Sequence, residues 1–152
     1  MFNQQSMAEP SYPFRKYKRE LLFEFESISE AKVIRKIIAY ELVDEEEKIY
    51  NLSLVDKAEN GSISDMVVSN NNDMEKVLST VIQTLPIFFE EFEGSKIFFR
   101  GSTPARTRLY KIVISKYFQL FEQDYLIYGF LNKESEPFVK EKNYEAFLIS
   151  KK

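Results

Sequence analysis

"KIFFRGSTPARTRLYKIVISKYF" (residues 96–118) is where the chain changes from a β pattern to a helical one, and its reading decides the fold. "KIFFR" (96–100) is short, almost continuously apolar and rich in aromatics, the pattern of a strand buried on both faces and therefore central in its sheet. Gly101 permits a sharp exit from that strand. Ser102 or Thr103 offers a capping oxygen, and Pro104 suits the first helical position, where its missing N–H would be unsatisfied in any residue. Leu109, Ile112, Val113, Tyr117, Leu120 and Phe121 then recur at helical spacing to about residue 123. The stretch is a strand–turn–helix junction.

Upstream, "ELLFEFES" (20–27) alternates Leu21, Phe23 and Phe25 with Glu24 and Glu26, the period-two pattern of a half-buried strand. "KVIRKIIAYELV" (32–43) suits either a helix or a strand, and its β-branched residues favour the strand. The acidic "DEEE" (44–47) reads as a hairpin tip, after which Tyr50, Leu52 and Leu54 alternate in a third strand. Asn60-Gly61 predicts a tight turn leading to a fourth strand in "ISDMVVS", so the first half reads as an antiparallel meander. In "SNNNDMEKV", Asn72 is placed to cap a helix with Glu75 three residues on. Val77, Leu78, Val81, Ile82, Leu85, Phe88, Phe89 and Phe92 form its apolar stripe, Gly94 its stop, and Pro86 a predicted kink or break. "YLIYGFLN" and "YEAFLISKK" end the chain as two more strands around a polar loop. The expected architecture is a single α+β domain over residues 16–152, a mainly antiparallel sheet of about six or seven strands with two helices packed on one face. A flexible arm, residues 1–15, containing Pro10 and Pro13, precedes it.

Composition removes whole classes of chemistry. The 152 residues contain no cysteine and no histidine, so there is no disulfide framework, no thiolate nucleophile, no zinc–sulfur site and no imidazole base. A hydrophobic content of 44%, with 14 Phe and 9 Tyr, supplies a packed core. The net charge of −3 argues against a chain that coats nucleic acid by bulk charge. The first residues lack the apolar segment of a signal peptide, and no apolar run reaches the roughly 18 residues of a membrane span. A cytoplasmic protein with no membrane partner and no cofactor is expected.

The junction at 101–106 is the candidate site. A strand–turn–helix junction directs free backbone N–H groups and the positive end of the helix dipole at whatever lies before it, as many phosphate and carboxylate sites do. At roughly 100° per residue, Arg106 falls on the side of Leu109 and Val113, whereas Arg108 turns toward Lys111 and Ser115. An inward Arg must be paired, and its planar fork matches carboxylate or phosphate. The candidate anion site is therefore Gly101, Ser102, Thr103 and Arg106, with Arg100 at the strand end. The structural alternative pairs Arg106 with one of the chain's own carboxylates, Asp65, Asp73 or Glu145, and leaves Arg108 on a solvated face. The turn lacks the glycine spacing and lysine of a P-loop.

"SDMVVSNNNDMEKVLSTV", "KIFFRGSTPARTRLYKIVISKYF", "YLIYGFLN" and "EPFVKEKNYEAFLISKK" together resemble a family of short uncharacterised bacterial proteins, a domain of unknown function, that share a GSTPARTRLY string and an NYEAF ending. The resemblance spans roughly residues 20–152 and implies a full-length small protein, without implying an activity. It marks Gly101, Ser102, Thr103, Pro104, Arg106, Arg108, Tyr110, Asn143, Tyr144 and Glu145 as matching positions. Asn71 stands where the family pattern would have Gly.

Arg108, Tyr110, Tyr144, Glu145 and Asp65 are secondary site candidates. As neighbours on a strand, Tyr144 and Glu145 would point to opposite faces, so at most one reaches any given site. Asp65, Asn70, Asn71, Asn72 and Asp73 are oxygen donors, but their spacing fits no calcium loop and suits helix capping. "RKYKR" (15–19) is a basic patch with an interposed aromatic, the basis of a nucleic-acid alternative. A second alternative is an enzyme acting on a phosphate-bearing substrate through Arg and carboxylates alone. The leading expectation is a non-enzymatic binding or interaction protein, its partner a small anionic ligand, another protein or a second copy of itself.

Overall fold

A computed structural model of the chain describes residues 11–17, 21–28, 33–57, 63–65 and 74–152. The fold is α+β, with nine strands and three helices among these residues. The chain divides into two compact units, one of Met1–Glu41 and Ser53–Glu91, the other of Leu42–Leu52 and Phe92–Lys152.

The first unit contains β1 (Phe14–Tyr17), β2 (Leu22–Ile28), most of β3 (Val33–Asp44), the second half of β4 (Ile49–Lys57), β5 (Ile63–Asp65) and α1 (Met74–Glu91). β1, β2 and β3 pair antiparallel in order, and β5 pairs antiparallel with the end of β4. The segment 33–44 is thus a strand, as its β-branched residues favour. Asn60-Gly61, Asn72 and the rest of the Asn-rich stretch lie outside the described residues, as does the side chain of Asp65.

Phe23 and Phe25 of β2 and Ile38 and Tyr40 of β3 are buried, with Val77, Leu85, Phe88 and Phe89 buried on α1. Tyr40 stacks on Phe88 at 4.4 Å between ring centroids. Two threonines on α1 carry the polar part of this core. Thr84 Oγ1 donates to Val81 O at 2.7 Å, so the 2.6 Å contact with Tyr40 is a hydrogen bond donated by the tyrosine hydroxyl. Thr80 Oγ1 donates to Lys76 O and accepts from the Tyr12 N–H, both at 2.9 Å.

Two expectations are corrected in this unit. The flexible arm does not extend to residue 15: Tyr12 is 4% exposed, stacks on Phe25, and its hydroxyl accepts from Ile28 N–H at 3.2 Å, while Phe14 begins β1. A buried tyrosine with its backbone and hydroxyl both bonded overrides the polar composition around it. Of the kink or break expected at Pro86, the break is absent: α1 runs as one 18-residue helix. Leu85, Phe88 and Phe89, almost fully buried on either side of the proline, offset the roughly 3 kcal/mol that an internal proline costs.

The second unit contains the tip of the β3–β4 hairpin, β6 (Lys96–Phe99), α2 (Pro104–Lys116), α3 (Phe118–Asp124), β7 (Tyr125–Leu131), β8 (Glu134–Pro137) and β9 (Ala146–Lys151). The acidic tip is a turn at 45–48, in which Glu47 N–H donates to Asp44 Oδ1 at 2.9 Å and Lys48 takes φ 55°. β6 is central as expected, parallel to β4 on one side and antiparallel to β9 on the other; β7 pairs with β9 and β8 with β7. Ile97 and Phe99 are buried, whereas Phe98 is half-buried, so only one face of β6 is fully covered. Gly94, at φ +78°, forms the left-handed turn after α1 that its position predicts.

The element counts exceed the expected six or seven strands and two helices. One added strand is β8, inside the loop read as polar coil. Asn132 and Lys133, with φ 51° and 68°, make a two-residue turn that folds it back on β7, the positive-φ geometry that suits strand twist. The added helix arises because the second helical stripe is interrupted at Tyr117, which closes α2 through a bond to Val113 O and opens α3 at once.

Candidate functional site

The register of the second unit determines where the junction at 100–107 lies. Phe99 pairs with Phe147 across β6 and β9, so the chain leaving β6 at Arg100 and the chain entering β9 from Glu145 meet at the same end of the sheet. Two segments some 40 residues apart in sequence thereby form one site.

The turn itself is built as its sequence predicts. Thr103 is the N-cap of α2, in extended conformation, and its Oγ1 accepts from Arg106 N–H at 3.2 Å; Pro104 follows as the first helical residue. Thr107, 4% exposed, ties the turn to the strand end: its Oγ1 accepts from Gly101 N–H at 3.0 Å and donates to Thr103 O at 3.2 Å. This clasp explains Gly101, where a Cβ would sit 2.6 Å from Thr107 N and 2.7 Å from Arg106 Cβ. It also removes part of the backbone cradle: Pro104 has no N–H, and the N–H groups of Gly101 and Arg106 are bonded inside the turn, so none of these three serves an anion.

A cleft of about 500 Å³ opens beside the turn. One wall carries Arg100, Ser102 and Thr103 with Arg108 and Lys111 of α2; the other carries Asn143, Tyr144 and Glu145. Arg106 is not in it. Its guanidinium Nη1 donates to the Ser102 hydroxyl one turn back, and among the described residues it has no carboxylate partner. Arg106 is half-buried and Arg108 exposed, as their helical positions predict, but it is Arg108 and not Arg106 that lines the cleft. The reason is the roll of α2. Its buried residues are Thr107, Tyr110, Val113 and Ile114, while Ile112, expected inside, is 55% exposed. Arg106 lies close to that buried face but in the first turn, where a long side chain reaches back instead of inward.

Among the described residues, Arg100, Arg108 and Lys111 form no ion pair. Tyr110, a secondary candidate, is core: it is 4% exposed and stacks on Phe99 at 4.6 Å. Tyr144 and Glu145 precede β9 and so escape the alternation of a strand; both line the cleft. Glu145 Oε1 accepts from Asn132 N–H at 2.8 Å, and its own N–H donates to Phe130 O at 2.8 Å, which fixes the carboxylate in place.

Tyr144 anchors the second wall. It is 5% exposed, its hydroxyl donates to Glu136 Oε2 at 2.8 Å and accepts from Val139 N–H at 3.1 Å, and its ring fills the space over Gly129, where a Cβ would lie 2.3 Å from it. Lys142 Nζ donates to Glu136 Oε1 at 2.9 Å. The hydrogen bonds from Lys142 and Tyr144 hold the Glu136 carboxyl below its usual range, and the Glu136 carboxylate in turn holds Lys142 above its own. Burial, reinforced by Glu136, raises the Tyr144 hydroxyl against the lowering effect of the Val139 N–H. Sequence reasoning did not name Asn143 as a wall residue in its own right, and it placed Lys111 on the side of Arg108 without making it a site residue, although a three-residue spacing on one helix face was the available signal.

The basic patch at the N-terminus reaches the described residues only in part: Arg15 and Lys16 are exposed on β1, and Lys18 and Arg19 lie outside. Among the described residues no helix is long and apolar enough to cross a membrane. No curated protein and no solved structure matches the chain. A family model does match, over residues 8–152, and it takes in the turn, both walls of the cleft and all the strands that position them. The chain belongs to that family, described as a family of unknown function, DUF6934.

Proposed function

We propose that this protein is a non-enzymatic binding protein whose cleft between the 100–111 segment and the 143–145 segment holds a small anion. The observation that supports this most is the convergence of Arg100, Arg108 and Lys111 on one cleft without an ion-pair partner among the described residues, in a chain whose net charge is −3. Acidic residues are plentiful, yet these three cations are left for something else. Unpaired arginines on a concave surface favour phosphate and carboxylate, because the guanidinium fork meets two oxygens at once. The core of the Gly101–Thr107 turn is internally bonded, so it holds Arg100 and Arg108 at fixed positions on either side of it.

Calorimetric titration of inorganic phosphate and of citrate tests the reading. Wild type binds at least one of them, and Arg108→Ala weakens binding roughly tenfold, the loss of one charge-assisted contact. Absence of binding by wild type, or binding unchanged when Arg100, Arg108 and Lys111 are each replaced, overturns it.

A further inference from the structure

We infer that the ligand of this cleft is a phosphate monoester of a polyhydroxylated compound, a sugar phosphate in chemical class; the inference rests on the anion-binding reading above and narrows it. Three features of the cleft lead there. The first is charge. Among the described lining residues, Arg100, Arg108 and Lys111 stand against one carboxylate, Glu145, a formal excess of two positive charges. A phosphate monoester, with a second pKa of about 6, carries close to two negative charges at neutral pH, whereas a simple carboxylate carries one.

The second is size. At roughly 30 Å³ per water, a cleft of about 500 Å³ has room on the order of fifteen waters. It falls within the roughly 300–1,000 Å³ of small-molecule sites. Bare phosphate leaves most of that space unfilled.

The third is the opposite wall, which is polar without being basic. Glu145 is held by Asn132 through one carboxylate oxygen, so the other remains an acceptor, and Asn143 beside it presents both a donor and an acceptor. A carboxylate and an amide on one wall match adjacent hydroxyl groups, each of which donates and accepts. Among the described residues the only aromatic lining the cleft is Tyr144, whose ring is packed against Phe138 and Phe147 and whose hydroxyl is already bonded twice. Among the described lining residues no exposed ring is offered to a nucleobase, so a sugar phosphate fits better than a nucleotide.

The test compares three monoesters by calorimetry at one ionic strength: ribose 5-phosphate, phenyl phosphate, which has the phosphate and a ring but no hydroxyls, and adenosine 5′-monophosphate. Ribose 5-phosphate is expected to bind about tenfold more tightly than phenyl phosphate, with adenosine monophosphate no tighter than ribose 5-phosphate. Glu145→Gln and Asn143→Ala, both at exposed positions, are each expected to reduce ribose 5-phosphate to the level of phenyl phosphate without weakening phenyl phosphate itself. Equal binding of ribose 5-phosphate and phenyl phosphate, both lost in Arg108→Ala, overturns this inference and leaves the anion site standing. A nucleotide preference of tenfold or more also overturns it. Failure of all three monoesters, phosphate and citrate to bind removes the anion site and the inference together.

Discussion

Lys36 and Arg108 are both cations on regular elements of an acidic chain, and the protein treats them in opposite ways. Lys36, on β3, is 2% exposed and its ammonium lies 2.8 Å from Asp56 Oδ1 on β4. Arg108, on α2, lines an open cleft with Arg100 and Lys111, and none of the three has an ion-pair partner among the described residues. Burial explains the first arrangement, since an ammonium taken out of water must bring its carboxylate with it. Solvent access permits the second, since an exposed cation costs little to leave unpaired and stays available to a ligand. The comparison separates a charge that holds the fold from charges that, on the proposed reading, are kept for binding.

The sharpest break in that comparison comes from removing the carboxylate of the buried pair. Asp56→Ala leaves the Lys36 ammonium buried without it and is expected to cost about 3 kcal/mol in denaturant unfolding, whereas Arg108→Ala is expected to change stability by less than about 0.5 kcal/mol. Equal losses from the two would dissolve the distinction. The next effect belongs to the turn. Thr103→Ala removes the N-cap of α2 and is expected to cost about 1 kcal/mol, read by the same unfolding curve. Smaller still is Arg106→Ala, which gives up a hydrogen bond to an exposed serine, so a few tenths of a kcal/mol is expected; a loss of 3 kcal/mol would mean a buried carboxylate partner after all.

The smallest effect is a pH dependence at the cleft's second wall. Because the Glu136 carboxyl is lowered by its bonds to Lys142 and Tyr144, its contribution is complete above the unfolded carboxylate range and is lost as pH falls through the lower folded value. Tyr144 runs the other way: its pKa is raised, so its contribution is complete below the ordinary tyrosine value near 10 and fades as pH rises beyond it. Glu136→Gln is therefore expected to flatten the acid limb of the stability profile below about pH 4 while leaving neutral-pH folding intact. An unchanged acid limb would show that the Lys142–Glu136–Tyr144 arrangement contributes nothing there.

Which parts of this were legible in the sequence follows from how local they are. The cap at Thr103, the proline after it, the glycine exit and the central position of β6 are each decided by a few consecutive residues, and the structure has them as read. The β8 hairpin was missed because its turn uses Asn132-Lys133 instead of the Asn-Gly pair that announces such turns. The cleft was half visible. Its first wall is contiguous in sequence, but its second wall reaches it only through the Phe99–Phe147 register, which no local pattern encodes. That Arg108 and not Arg106 lines the cleft has the same origin. A helical wheel orders side chains around an axis, yet the roll of α2 is set by Thr107, a polar residue whose two bonds to the turn bring it inside in place of Ile112.

The measurement that tests the account most directly is the melting temperature of wild type, Arg106→Ala and Arg108→Ala as inorganic phosphate is added. Binding to the folded state alone stabilises by about 1.4 kcal/mol at ten times the dissociation constant, so the shift is readable at modest affinity. The account predicts that wild type and Arg106→Ala rise together while Arg108→Ala, folded and equally stable without phosphate, needs about tenfold more phosphate for the same rise. A response that survives in Arg108→Ala and vanishes in Arg106→Ala would contradict it, and would return the site to the arginine that the structure places outside the cleft.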